Sequence, residues 1–357
     1  MRDYRAELEQ ILGKNEIDFS RPLVVWGTGN TSELYQKGFK RDEIDPEFYA
    51  DGNACKTGNL YHGKKVLSPD EIKSEEYRKY YFLVCSAVGE RNQIICDRLS
   101  SLQREYMPAD KYIFSRNYKK ILKVYDLLED DISKRVYAEM IIRRALNLSV
   151  SEDIYTENQY FCLRHFKRLF PDEVFVDAGA FVGDTVEKYI WEKMGTFKTC
   201  YAIEPDKKNV MAMNSRFDRL KKEWMLDDDR LIVIDQGLGA TREVTRFSEH
   251  TDGSRGLGSI ITDDGEQEIR ISTIDELFEK QKISWLKADV ESFEFDMLKG
   301  AANVIKRDKP LLSISIYHNA EDLFDIPLLI SELDPSYKLS VRHHTYEYSD
   351  TVLYAYH

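Results

Sequence analysis

The residues of this chain best suited to chemistry are carboxylates and glycines placed where apolar runs end. Residues 174–185, VFVDAGAFVGDT, lead from an apolar stretch into Asp177, then through Gly179 and Gly183 to Asp184 at the head of a helix-like pattern. The spacing D-x-G-x-x-x-G differs from the G-x-G-x-x-G that lays a pyrophosphate against bare N–H groups at a helix start, and Asp184 adds a negative charge at that spot. A ligand carrying an ammonium or sulfonium group fits better, because carboxylates offset its charge and glycines let the backbone come close. The next apolar run, CYAIEP, ends in Glu204, where a carboxylate can accept both hydroxyl protons of a ribose. A third, LIVIDQGLG, ends in Asp235, which could reach an adenine amino group, with Gly237 leaving room for the base. Together the three run ends describe S-adenosylmethionine. Phe181, Thr185, Pro205 and Gln236, which flank these positions, complete the expected cofactor-binding set.

Methyl transfer from a sulfonium is an in-line displacement, so the groups that align and deprotonate an acceptor should lie at the next two run ends. Asp289 and Glu291 close WLKADVE, and His318 with Asn319 closes SISIYHN. His318 could serve as general base for a hydroxyl, since imidazole titrates near neutral pH. The carboxylates and Asn319 could instead hold a hard divalent cation such as magnesium that acidifies the hydroxyl. Asp289 and Glu291 also suit the cap of the helix that follows, and Glu294 reads as a first-turn helix residue. Tyr189 and Lys193 show the Y-x-x-x-K spacing of a dehydrogenase, but on the first helix after the glycine loop they read as helix surface. Of His343 and His344, in a strand of alternating polarity, at least one should be exposed. Residues 248–267, rich in glycine and charge, suit a flap with Arg255 as a contact to an anionic substrate.

Alternating strands and helices must position these residues. From Val174 the order is strand, helix, strand, helix, strand, a glycine-rich insertion, then further helix and strand pairs. It finishes in two β-rich stretches, YKLSVRHH and TVLYAYH, close enough to form only a hairpin. This predicts an α/β fold: a doubly wound, Rossmann-like sheet over residues 171–357 with an antiparallel terminal hairpin. A smaller α/β domain is expected over residues 1–115, where LVVW enters the turn Gly27-Thr28-Gly29, a later strand ends at Asp51, and YYFLVCSA gives another buried strand. Residues 116–170 carry apolar positions at helical spacing and are expected to form a helical connector.

Composition narrows the partners. The chain has 357 residues, long enough for two cores, with 63 acidic and 51 basic residues and a net charge of −12. That balance argues against a nucleic-acid partner recognised by phosphate neutralisation. The five cysteines form no C-x-x-C pair, which fits reduced cytoplasmic thiols rather than zinc or a disulfide framework. No apolar stretch is long enough to span a bilayer. The expected partner is a small molecule, and a homodimer is compatible with this reading.

The stretches VFVDAGAFVGDT, YAIEPD, ISWLKADVESFEFDMLKGA and SISIYHNAEDLFDIP resemble the FkbM family of S-adenosylmethionine-dependent methyltransferases over about residues 155–357. The resemblance implies the class I methyltransferase fold, with Asp177, Gly179 and Gly183 as the cofactor loop, Glu204 as the ribose acid and Asp289 in the DVEG-E signature. It also implies O-methylation of a sugar or glycan precursor in surface polysaccharide biosynthesis. Ser292 departs from the family, which usually has glycine there. The first domain resembles Rossmann-like domains attached to bacterial sugar-modifying proteins. Its glycine turn keeps open a nicotinamide-dependent sugar-nucleotide oxidoreductase or epimerase as a rival. A non-catalytic binding protein on the cofactor fold is the other.

Overall fold

In a computed structural model, the described residues are 2–13, 18–86, 90–248, 260–261 and 267–357. The chain divides into two compact units: residues 1–155 with 317–324 and 346–349, and residues 156–316 with 325–345 and 350–357.

The first unit is built on a six-stranded sheet of order β3-β4-β2-β1-β5-β6. Its strands are β1 (Leu23–Trp26), β2 (Phe48–Ala50), β3 (Leu60–Tyr61), β4 (Lys64–Leu67), β5 (Tyr81–Val84) and β6 (Tyr106–Pro108). All pairings are parallel except β3 with β4. Val24, Trp26, Phe82 and Val84 bury their side chains with Leu99 of the helix Glu90–Ser101, as expected of a sheet covered by crossover helices. The helices Tyr118–Leu127 and Asp131–Ala145, from the stretch expected to be a connector, belong to this unit. Asp130 caps the second of them, accepting from Ser133 N at 2.8 Å.

The second unit contains a seven-stranded sheet of order β16-β17-β15-β14-β7-β8-β9. These strands are β7 (Val174–Ala178), β8 (Thr199–Ile203), β9 (Leu231–Ile234), β14 (Trp285–Ala288), β15 (Leu311–Ser315), β16 (Lys338–His343) and β17 (Thr351–Tyr356). The five strands from β9 to β15 run parallel and the β16–β17 hairpin is antiparallel at the edge, as its short connection requires. A four-stranded sheet of order β10-β13-β11-β12 is formed by β10 (Gly237–Leu238), β11 (Glu243–Ser248), β12 (Ile260–Ile261) and β13 (Gln267–Ser272). LIVIDQGLG is therefore split between two sheets. The flap expected around Arg255 lies outside the described residues.

Aromatic packing fixes the β7 and β14 strands: Phe175 stacks on Tyr189 at 4.3 Å between centroids, and Trp285 lies 4.7 Å from Phe175 while donating to Ser313 Oγ at 2.6 Å. FEFDMLKGAANVI forms two helices, Glu294–Lys299 and Ala302–Asp308, that part at Gly300. A Cβ on Gly300 would stand 2.2 Å from the Gly239 carbonyl oxygen, so backbone from the neighbouring segment occupies the space a side chain would need.

Two expectations about polar residues are corrected. Tyr189 and Lys193 are completely buried rather than on a helix surface. Lys193 Nζ lies 2.9 Å from Glu173 and donates to the Arg168 carbonyl at 2.6 Å, and the Tyr189 hydroxyl donates to Glu173 at 2.8 Å, which compensates the buried charge. His343 and His344 are also both buried. His344 contacts the Thr156 carbonyl at 2.6 Å and the Tyr354 hydroxyl at 2.9 Å, and burial lowers its pKa to about 4.

Candidate active site

A cavity of about 290 Å³ opens beside the carboxyl ends of β7, β8 and β14 in the second unit, at the low end of the range for small-molecule sites. The first wall is the β7 loop. Gly179 (φ +75°) and Gly183 (φ +78°) adopt left-handed conformations that glycine enters without cost. A Cβ on Gly179 would stand 1.9 Å from the Asp289 carbonyl oxygen, so this loop and the end of β14 touch backbone to backbone. Gly183 precedes the helix Asp184–Glu192, and Gly179, Phe181, Asp184 and Thr185 all face the cavity.

Glu204 follows β8, is 7% exposed and lines the cavity. It accepts from Phe181 N and Asp206 N, each at 3.0 Å, and from Asn209 Nδ2 at 3.3 Å. Burial pushes its carboxyl pKa up, and these hydrogen bonds oppose the rise. Asp206 caps the following helix Lys207–Glu223 through Lys208 N and Asn209 N, which holds the β8 loop in place. Pro205, Gln236 and Gly237 join this side. Ile203, Leu238, Ile269 and Ile271 give it an apolar surface suited to a flat ring.

Asp289 and Glu291 form the β14 side. Glu291 (φ +50°) and Ser292 (φ +75°) are both left-handed. Ser292 thus follows the path a glycine takes most readily, at a backbone cost on the order of 1 kcal/mol. Glu294, completely buried, accepts from Val290 N at 2.7 Å and begins the helix Glu294–Lys299.

The structure distributes the expected residues unevenly. Asp177 is fully buried at the end of β7 but does not line the cavity. It faces Lys287 of β14, whose Nζ lies 2.8 Å from Asp177 Oδ1 and donates to the Gly179 carbonyl at 2.9 Å. Burial pushes the Asp177 carboxyl up to about 6 against the pull of Lys287, while its charge helps hold Lys287 protonated. Asp235 is exposed and absent from the wall, so the end of β9 presents Gln236 instead. His318 and Asn319 come after β15 ends at Ser315, in the segment 317–324 grouped with the first unit. The His318 ring lies 4.0 Å from that of Tyr317. Asn319 donates to Asp322 from N at 3.1 Å and Nδ2 at 2.7 Å, ahead of the helix Asp322–Leu333.

Among the wall residues outside the expected set are two that make polar contacts to expected ones. Lys287 lies within an apolar run, and Tyr160, in the stretch expected to be a connector, donates to Asp289 Oδ2 at 2.9 Å. Lys287 had a signal available, an acid on a neighbouring strand, once β7 and β14 are known to pair with Asp177 opposite Lys287.

The strand order of the second sheet, with its antiparallel hairpin and a cavity over the central strand ends, defines the class I methyltransferase fold. Residues 177–348 match the family model of the methyltransferase FkbM domain. The crystal structure of methyltransferase FkbM from Methylobacillus flagellatus KT is similar in fold over 99% of this chain and 95% of its own, with TM-score 0.57 and 21% identity. An rRNA methylase from Streptococcus thermophilus is similar over 56% of this chain and 96% of its own, with TM-score 0.34 and 12% identity. SMU.1697c from Streptococcus mutans, solved with SAH, is similar over 52% of this chain and 90% of its own, with TM-score 0.33 and 11% identity. No curated protein matches in sequence. Among the described residues no helix is long and apolar enough to cross a membrane.

Proposed function

We propose that the second-unit cavity binds S-adenosylmethionine and that the protein methylates a hydroxyl group, on a sugar or glycan precursor. The observation that carries the reading is Glu204, a buried carboxylate after β8 facing a cavity floored by a left-handed glycine loop. Its acceptor oxygens suit vicinal ribose hydroxyls, and the apolar surface beyond it suits the adenine. Gly179 lines the same cavity, and its lack of a side chain lets the loop pack against the Asp289 backbone that forms the opposite wall. When bound, S-adenosylmethionine supplies a methyl group on a sulfonium sulfur.

The chain's own residues would do the rest. Asp184 and Asp289 place negative charge on the wall, favouring a cationic ligand. Tyr160 orients the Asp289 carboxylate through its hydroxyl. Asp289 and Glu291 would hold the acceptor hydroxyl in line for transfer. The sugar acceptor follows from resemblance to the FkbM family.

The test is transfer of labelled methyl from S-adenosylmethionine to sugars and glycan precursors with free hydroxyls. Wild-type protein is expected to label such an acceptor, and failure across the acceptor set would oppose the sugar assignment. Glu291→Ala is expected to lower kcat by about tenfold or more with unchanged S-adenosylhomocysteine affinity. Wild-type turnover in that variant would remove Glu291 from alignment of the acceptor. Turnover unaffected by EDTA would leave alignment to the carboxylates alone, whereas loss reversed by magnesium would assign acidification of the hydroxyl to a bound cation.

A further inference from the structure

We propose that the first unit holds a separate binding site for a nucleoside diphosphate, free or esterified to a sugar. The chain leaves the central strand β1, forms β2 on one side and later β5 on the other, so the sheet changes direction at β1. Ligands of open α/β sheets occupy the crevice at such a point. A cavity of about 540 Å³ lies there, bounded by the ends of β1, β2 and β5.

Its wall has the chemistry for all three parts of a nucleotide. Gly27 (φ +128°) turns the chain after β1, where a Cβ would stand 2.5 Å from the Cys85 carbonyl oxygen. The helix Asn30–Arg41 then begins at Gly29 with no side-chain cap on its first N–H groups. In its first turn, Ser32 is completely buried, lines the cavity, and its Oγ has no hydrogen-bond partner. The neighbouring Tyr61 hydroxyl donates to Glu33 instead. Glu33, the acidic residue of that turn, also pairs with His62 at 3.0 Å and does not line the cavity. Lys56 and Arg98 supply positive charge on the wall, with Lys56 Nζ held by the Thr28 carbonyl at 2.8 Å. A free helix start, a buried hydroxyl and two cations together suit phosphate.

Asp51, after β2, stands one strand over from that turn and accepts from Thr28 N at 3.1 Å and Asn53 N at 2.8 Å. It occupies the position from which an acidic side chain receives ribose hydroxyls. Ile94, 57% exposed, and Ile95 offer the base an apolar face. The contrast with the second unit is one of position: there the first residue of the helix after the glycine loop is Asp184, which lines the cavity, whereas here the first-turn acid, Glu33, does not.

The site is tested by calorimetric titration of the full chain, saturated with S-adenosylhomocysteine, with ADP, GDP, CDP and UDP, and with inorganic phosphate. At least one nucleoside diphosphate is expected to bind with a Kd below about 1 mM, more tightly than phosphate, and at least fivefold more weakly to Ser32→Ala and to Arg98→Ala. Comparing UDP with UDP-glucose separates the two sources: tighter binding of the ester extends the site to the sugar, and equal binding confines recognition to the nucleoside diphosphate. Absence of saturable binding by all four would overturn the proposal. So would binding unchanged in both variants, which would place the ligand elsewhere. Methyl transfer does not enter these readouts, so this site and the methyltransferase reading stand or fall separately.

Discussion

Glu204→Ala is expected to weaken S-adenosylmethionine binding by about 10- to 100-fold, the equivalent of about 1.5–3 kcal/mol for hydrogen bonds to a charged group. The effect is large because the carboxylate is buried at the cavity edge and already takes Phe181 N and Asp206 N. Truncation would remove the acceptor for the ribose and loosen the loop on which Phe181 sits. Glu204→Gln keeps the shape and should fall between wild type and alanine. A pH dependence follows from the raised pKa. The carboxylate is the accepting form, so affinity is expected to fall as acidification protonates it, with a shallower slope in Glu204→Gln. Calorimetry across pH checks both points, and wild-type affinity in Glu204→Ala would exclude the ribose role.

Lys287→Met is expected to destabilise the fold by about 3–5 kcal/mol, because removing one partner of a buried ion pair leaves the other uncompensated. Lys287 and Asp177 are 3% and 0% exposed at the side chain, 2.8 Å apart, and are register partners in adjacent strands. The lysine also donates to the Gly179 carbonyl, so the glycine loop should loosen in the same variant. The double variant Asp177→Asn/Lys287→Met removes both charges and should recover much of the loss. Urea unfolding of wild type, both single variants and the double variant measures the coupling. Additive losses would show that the two side chains do not act as a pair.

The legible parts of the fold were those where one segment carries its own signal. VFVDA, CYAI and WLKA are short and apolar because strands of a parallel sheet are covered on both faces, and the two terminal runs could pair only as a hairpin. Glu204 was legible for the same reason, as the first carboxylate after an apolar run. What escaped depends on which distant segments meet. Lys193 reads as surface until Glu173 and the Arg168 carbonyl close around it. Tyr160 lies before the first strand of its sheet, and only the folded chain brings its hydroxyl to Asp289. Asp235 shows the opposite error: an acid at a strand end reads as a ligand, yet the chain turns it to solvent and presents Gln236. Asp177 reads as a contact to the ligand's positive charge, but the lysine facing it already occupies that role.

The most direct test of the central claim is calorimetric titration of the full chain with S-adenosylmethionine and S-adenosylhomocysteine, with Glu204→Ala alongside. Both ligands are expected to bind saturably at one site per chain, and at least tenfold more weakly to the variant. No binding of either ligand at millimolar concentration, or equal binding to wild type and variant, would contradict it.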